Sequence, residues 1–97
     1  MVEFCATRND RYPYEIEFDG FSREQLNELY SYQDVPRFYS IIKSMKINPN
    51  EGIGKPERLK RNLSGWSSRR FNDNDRVVYK IIADHKIQIS RCLGHYE

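Results

Sequence analysis

The sequence predicts an α+β fold: an antiparallel β-sheet meander with two N-terminal helices on one of its faces, in the order β-α-α-β-β-β. Three observations carry this prediction. Apolar and polar residues alternate over residues 14–18 and again in the last third of the chain, the period of half-buried strands. Between these regions, apolar residues recur at helical spacing from Leu26 to Met45. The last three strand-like segments are joined by short turn-like links, which suit antiparallel neighbours.

Taken in order, residues 1–13 have mixed charge and no period and read as an N-terminal extension, within which 2–6 can form a short edge strand. In the first core strand Tyr14, Ile16 and Phe18 fall on one face, with Glu15 and Glu17 on the other. Asp19-Gly20 turns the chain. Ser22-Arg-Glu-Gln25 has the spacing of a capping box and opens the first helix, with Leu26, Leu29 and Tyr30 on one face. Asp34 is placed to cap the second helix, because Pro36 is tolerated only in a first turn. Phe38, Ile41, Ile42 and Met45 then form its buried stripe. Two prolines and two glycines make 48–56 a loop. Strands follow over 66–71, 76–82 and 86–92, linked by Asn72-Asp-Asn-Asp75 and Ala83-Asp-His85. In the last of them Ile87 and Ile89 point inward, Gln88 and Ser90 outward.

At 97 residues the chain is expected to form one domain over 1–97, with 38% hydrophobic residues to build a core and 31% charged residues to keep it in solution. No apolar run exceeds three residues, so no membrane-spanning segment is expected. The charged N-terminus argues against a signal peptide, and Cys5 and Cys92 lack CxxC spacing. A cytoplasmic protein with reduced thiols is the expectation. The net charge of +2 hides an asymmetry: residues 1–51 sum to −3 and residues 52–97 to +5. Eight cations lie between Lys55 and Lys80 against three acids, a distribution suited to a polyanionic partner.

Strand parity sorts these cations. With Phe71 directed to the core, Arg69 shares its side and Arg70 faces out with Trp66 and Ser68. On the next strand Val77, Tyr79 and Ile81 form a core set, which puts Arg76, Val78 and Lys80 on the other face. Arg70, Arg76 and Lys80 thus converge on the face that the helices leave open. Arg69 is expected to form a structural ion pair or bind backbone, and His85 to lie on the surface.

Several chemistries find no support. Gly52-Ile-Gly-Lys-Pro56 lacks the spacing of a phosphate loop, and Pro56 stands where a metal-binding hydroxyl belongs. With two histidines and no HExxH, CxxC or acidic cluster, no metal site or cofactor is expected. A reaction whose substrate brings its own nucleophile remains open, and RNA does so in its 2′-hydroxyl. Its cleavage needs a base, an acid for the departing 5′-oxygen and cations around the phosphorane. Glu57, His95, Arg70, Arg76, Lys60 and Tyr96 can supply that set.

Gly52-Ile-Gly-Lys-Pro-Glu57, Leu59-Lys60, Asn62-Leu-Ser-Gly65, Ser68-Arg69-Arg70, Asp75-Arg-Val-Val-Tyr79 and Gly94-His95-Tyr96 together resemble the YoeB/Txe family, a branch of the RelE/ParE superfamily of toxin–antitoxin toxins. The resemblance is strong over residues 49–96 and reduces to element order over 14–48. It implies a RelE-like fold and a ribosome-dependent endoribonuclease that cuts the A-site codon of mRNA without metal and so inhibits translation. By position it implies Glu57 as general base, His95 as general acid, Arg76 as stabiliser of the phosphorane and Tyr96 as the group that positions or stacks on substrate. Lys55, Lys60 and Arg70 become RNA contacts. The implied partners are the ribosome and its mRNA, a YefM/Axe-like antitoxin, and operator DNA reached only through the antitoxin complex; a homodimer is left open. Trp66-Ser67 and Leu93 depart from the family pattern. The alternatives are a ParE-like topoisomerase inhibitor and a basic RNA- or ribosome-binding domain without chemistry.

Overall fold

A computed structural model describes residues 10–20, 35–70 and 75–91 of the chain. Strand β1 (Glu15–Phe18) is followed by helix α1 (Val35–Ile47), strand β2 (Glu57–Arg58), one 3-10 turn (Arg61–Leu63), and strands β3 (Ser67–Arg70), β4 (Arg76–Ala83) and β5 (Lys86–Arg91). The helix expected from Ser22, its neighbour Asp34, Phe71, and the segments 1–9 and 92–97 lie outside the described residues.

The strands form one sheet in the order β1-β5-β4-β3-β2. From β3 to β5 it is the expected antiparallel meander. Two features differ from expectation. Strand β1 joins the free edge of β5 in parallel, with Ile16 opposite Ile87 and Phe18 opposite Ile89. A helical segment separates β1 from the meander, and a crossover of that kind permits parallel pairing where a tight turn does not. The second difference is β2 itself: Glu57 and Arg58, just past the 48–56 loop and assigned to no element by the sequence, pair with Ser68 and Ser67.

Helix α1 forms where expected, with Pro36 in its first turn. Its stripe of Phe38, Ile41, Ile42 and Met45 is fully buried against Ile16, Phe18, Val77, Tyr79, Ile87 and Ile89. Complete burial of such side chains stabilises the fold by roughly 1.5–3 kcal/mol each. At its end the helix is tied to the first strand, where the Tyr14 amide donates to the Lys46 carbonyl at 3.1 Å. Ile81 does not join the core; it is 47% exposed. The β4–β5 register shifts between Ile81 and Ala83, and from Ile81 to its end the strand is exposed. The His85 turn between β4 and β5 has a left-handed φ of 60°. His85 is half-buried rather than a bare surface residue, tilted against Tyr14 with ring centroids 5.1 Å apart.

Candidate active site

Cross-strand register assembles the site. Residues directly opposite each other in a sheet share a face, as do residues two apart along a strand. Arg70 lies opposite Arg76, Ser68 opposite Val78, and Glu57 opposite Ser68. Glu57, Arg70 and Arg76 therefore emerge on the same face of β2, β3 and β4, the face turned away from α1. The Arg76 guanidinium comes within 4.0 Å of the Glu57 carboxylate, across the strand between them. Glu57 and Arg70 are exposed and Arg76 is half-buried. One carboxylate flanked by two cations is a setting into which a phosphate can dock, with an acceptor for a proton beside it.

Lys55 and Lys60 are exposed on either side of β2. Lys55 has a left-handed φ of 53°, a costly conformation for a residue with a side chain, and it stands directly before Pro56. Lys80 shares the parity of Arg76 but not its neighbourhood. Its ammonium lies over the Trp66 ring, 4.5 Å from the centroid, at the opposite end of β3 from Arg70. The convergence expected of three cations is thus a pair, Arg70 and Arg76. His95 and Tyr96 lie outside the described residues; Arg91, the last residue before that segment, is opposite Val78.

The loop leading into Glu57 is held from behind by Arg69. This side chain is fully buried, and each of its five N–H groups has an acceptor. Nε donates to the Tyr79 hydroxyl at 3.1 Å, Nη1 to Ser44 Oγ at 2.7 Å and to the Ile53 carbonyl at 3.2 Å. Nη2 donates to the carbonyls of Asn48 and Glu51 at 2.6 and 2.9 Å. Of the two roles expected for Arg69, backbone binding is the one it fills. The Tyr79 hydroxyl in turn donates to the Pro49 carbonyl at 2.7 Å. Burial pushes the Tyr79 phenol above its ordinary value of 10.0, while the hydrogen bond from Arg69 and its charge pull the other way. The two loop glycines are fitted to this frame. A Cβ on Gly52 would collide with Ser44 Oγ, and one on Gly54 would lie 2.6 Å from Ile41 Cδ1 and 2.8 Å from the Arg70 carbonyl.

A pocket of about 270 Å³ opens at the Trp66 end of β3, between the Pro49–Asn50 turn and the row Arg58, Ser67, Tyr79, with Trp66 and Lys80 also lining it. Glu57, Arg70 and Arg76 do not line it, so it is separate from the charged cluster. Strand parity placed Arg70 and Arg76 near one another and the family resemblance added Glu57, but neither found Ser44 or the loop carbonyls gathered by Arg69. A hydroxyl at one helical turn's remove from Ile41 carries no sequence signal of such a role. Among the described residues no group of three His, Cys, Asp or Glu side chains is arranged to hold a metal.

Comparison with known proteins places this geometry. The family described as YoeB-like toxin of bacterial type II toxin-antitoxin system matches residues 21–96. The toxin YoeB of Synechocystis sp. is 49% identical over 61 residues, 63% of this chain and 70% of that protein. The solved YoeB dimer from Staphylococcus aureus superposes with a TM-score of 0.76 at 37% identity, covering 87% of this chain and 99% of that one. A heterotetrameric YoeB–YefM toxin–antitoxin complex from the same organism gives a TM-score of 0.75 at 37% identity, over 86% and 98% of the two chains. The chain with Glu57, Arg70 and Arg76 gathered on one sheet face belongs to the family of YoeB-like toxins of bacterial type II toxin–antitoxin systems.

Proposed function

We propose that this toxin is a ribosome-dependent endoribonuclease that cuts mRNA in the A-site codon by attack of the RNA's own 2′-hydroxyl. The observation that supports this most is the cluster of Glu57, Arg70 and Arg76, with carboxylate and guanidinium 4.0 Å apart on one face of the sheet. In this reading Glu57 accepts the proton of the 2′-hydroxyl, and Arg76 meets the charge that builds on the phosphorane oxygens. Arg70, Lys55 and Lys60 hold neighbouring phosphates. His95 protonates the departing 5′-oxygen and Tyr96 orients the substrate; a histidine titrating near pH 6.5 can hold or release a proton at neutral pH. General acid–base action supplies about 10²–10⁴-fold per group and positioned cations about 10²–10³-fold. That leaves the ribosome to place the codon in attack geometry.

A YefM-type antitoxin is the proposed partner, by likeness to the solved YoeB–YefM complex, and a dimer by likeness to the solved YoeB dimer. The test mixes purified protein with ribosomes paused on a defined codon, maps any cut by primer extension, and assays the new 3′-end. A cut confined to the A-site codon and ending in a cyclic or linear phosphate is expected, with free mRNA left whole. Folded, ribosome-bound protein that makes no cut overturns the reading. DNA damage in cells with intact mRNA would replace it with topoisomerase inhibition.

A further inference from the structure

The residues that meet RNA in this reading occupy the outward face, yet Arg69, with all five of its donors used, lies on the inward one. Arg69 is a buried cation whose five donors are all used: two go to Ser44 and Tyr79, and three go to carbonyls of the 48–53 loop. A structural arginine needs only a satisfied charge. Three of this one's five bonds fall on a single segment, which leads within four residues to the candidate base. Ser44 Oγ also accepts the Ile53 amide at 3.2 Å, so helix α1 holds the same loop. The next residue, Gly54, accepts the Arg70 amide at 2.7 Å, which fixes the loop to β3. Three residues later Glu57 enters the ladder opposite Ser68.

We infer that Arg69 is a positioning residue for the reaction: by clamping residues 48–53 it sets the register in which Glu57 pairs with β3 and faces Arg76. The inference rests on the reading of Glu57 as the proton acceptor. Its neighbours in sequence divide the work, since Arg70 faces substrate while Arg69 holds the loop that brings the base. Arg69→Lys keeps the charge but offers three donors on a narrower head, and cannot reach five acceptors in a plane. A base displaced by about 1 Å is enough to slow a reaction about 10²-fold.

The experiment uses the full chain and compares wild type, Arg69→Lys and the milder Ser44→Ala, which removes one acceptor shared by Arg69 and Ile53. Amide hydrogen exchange is followed at Arg70 and Leu59, which report the loop and β2, and at Val77 and Ile87, which report the core. Single-turnover cleavage on paused ribosomes is measured beside ribosome affinity. The expected result is exchange at least tenfold faster at Arg70 and Leu59, with Val77 and Ile87 unchanged. Cleavage falls about 10²-fold in Arg69→Lys and less in Ser44→Ala, while affinity moves less than threefold. Core and loop exchange rising together would mean general structural support and overturn the inference. So would wild-type cleavage in a variant whose loop is loosened, or unchanged loop exchange in both variants. If wild type itself makes no cut, the enzymatic reading fails separately, and exchange at Arg70 and Leu59 alone decides whether Arg69 sets the β2 register.

Discussion

At the scale of single residues, the Glu57–Arg76 pair separates function from stability. The contact spans 4.0 Å, with the Glu57 side chain 57% exposed and that of Arg76 19%, so solvent screens it from the Glu57 side. Exposed pairs contribute about 0–1 kcal/mol. Arg76→Lys, which keeps the charge and most of the half-buried stem but loses the planar fork, is therefore expected to melt within a few degrees of wild type while losing about 10²-fold in cleavage rate, read by thermal denaturation beside single-turnover assays. Equal losses of stability and activity would assign Arg76 to the fold. Tyr79 poses the opposite case, a titratable group without an exposed role. Its phenol is raised above 10.0, so the folded chain holds this proton where the unfolded chain has released it. That contribution is complete below about pH 10 and is lost as pH rises through the raised value. Tyr79→Phe should be less stable than wild type at pH 8, having lost its bonds with Arg69 and Pro49, yet fall less steeply above pH 10. Urea denaturation between pH 8 and 11 measures both.

The loop and strand β2 carry the argument at the scale of elements. Gly54 combines a φ of 86° with a Cβ position 2.8 Å from the Arg70 carbonyl, a backbone atom that cannot swing aside. Gly65 has a similar φ of 95° but open space around it. Both substitutions to alanine pay for the backbone conformation; only Gly54→Ala also meets a wall. Gly54→Ala should lower Tm by about 5–15 °C and Gly65→Ala by less, with activity following the same order. Equal shifts would mean that the wall yields. Much of this architecture was legible in the sequence. Period two found β1, β3, β4 and β5, helical spacing found the stripe from Phe38 to Met45, and parity put Arg70 and Arg76 on one face. Strand β2 was not legible, because two residues have no period. Ile81 was misplaced for a related reason: alternation assigns its side correctly but does not say where along the strand burial ends. Lys80 shares the predicted face, but its pairing with Trp66 depends on a side-chain direction along the strand that parity leaves free.

Across the whole molecule the two edges of the sheet differ in charge, and this turns the asymmetry of the sequence into a spatial one. On β1 and β5, Glu15 and Glu17 are met by Lys86 at 3.7 and 3.3 Å, and Gln88 donates to Glu17 at 3.2 Å. At this edge two carboxylates share one lysine and leave no cation over. At the other edge Lys55, Lys60 and Arg70 are exposed around one carboxylate. A polyanion binding there releases counterions for each phosphate that a cation neutralises, so its affinity falls with salt in proportion to the number of such contacts. Ribosome binding measured from 50 to 200 mM salt should therefore show a steep log–log slope. Lys60→Ala and Arg70→Ala should each reduce that slope by about one. Glu15→Gln and Glu17→Gln should leave the slope as it is, because the charges they alter are already met by Lys86 and stand strands away from β2. A slope insensitive to Lys60 and Arg70 but reduced by changes at the β1 edge would place the polyanion on the wrong side of the sheet, and with it the assignment of Glu57 and Arg76 to the reacting phosphate.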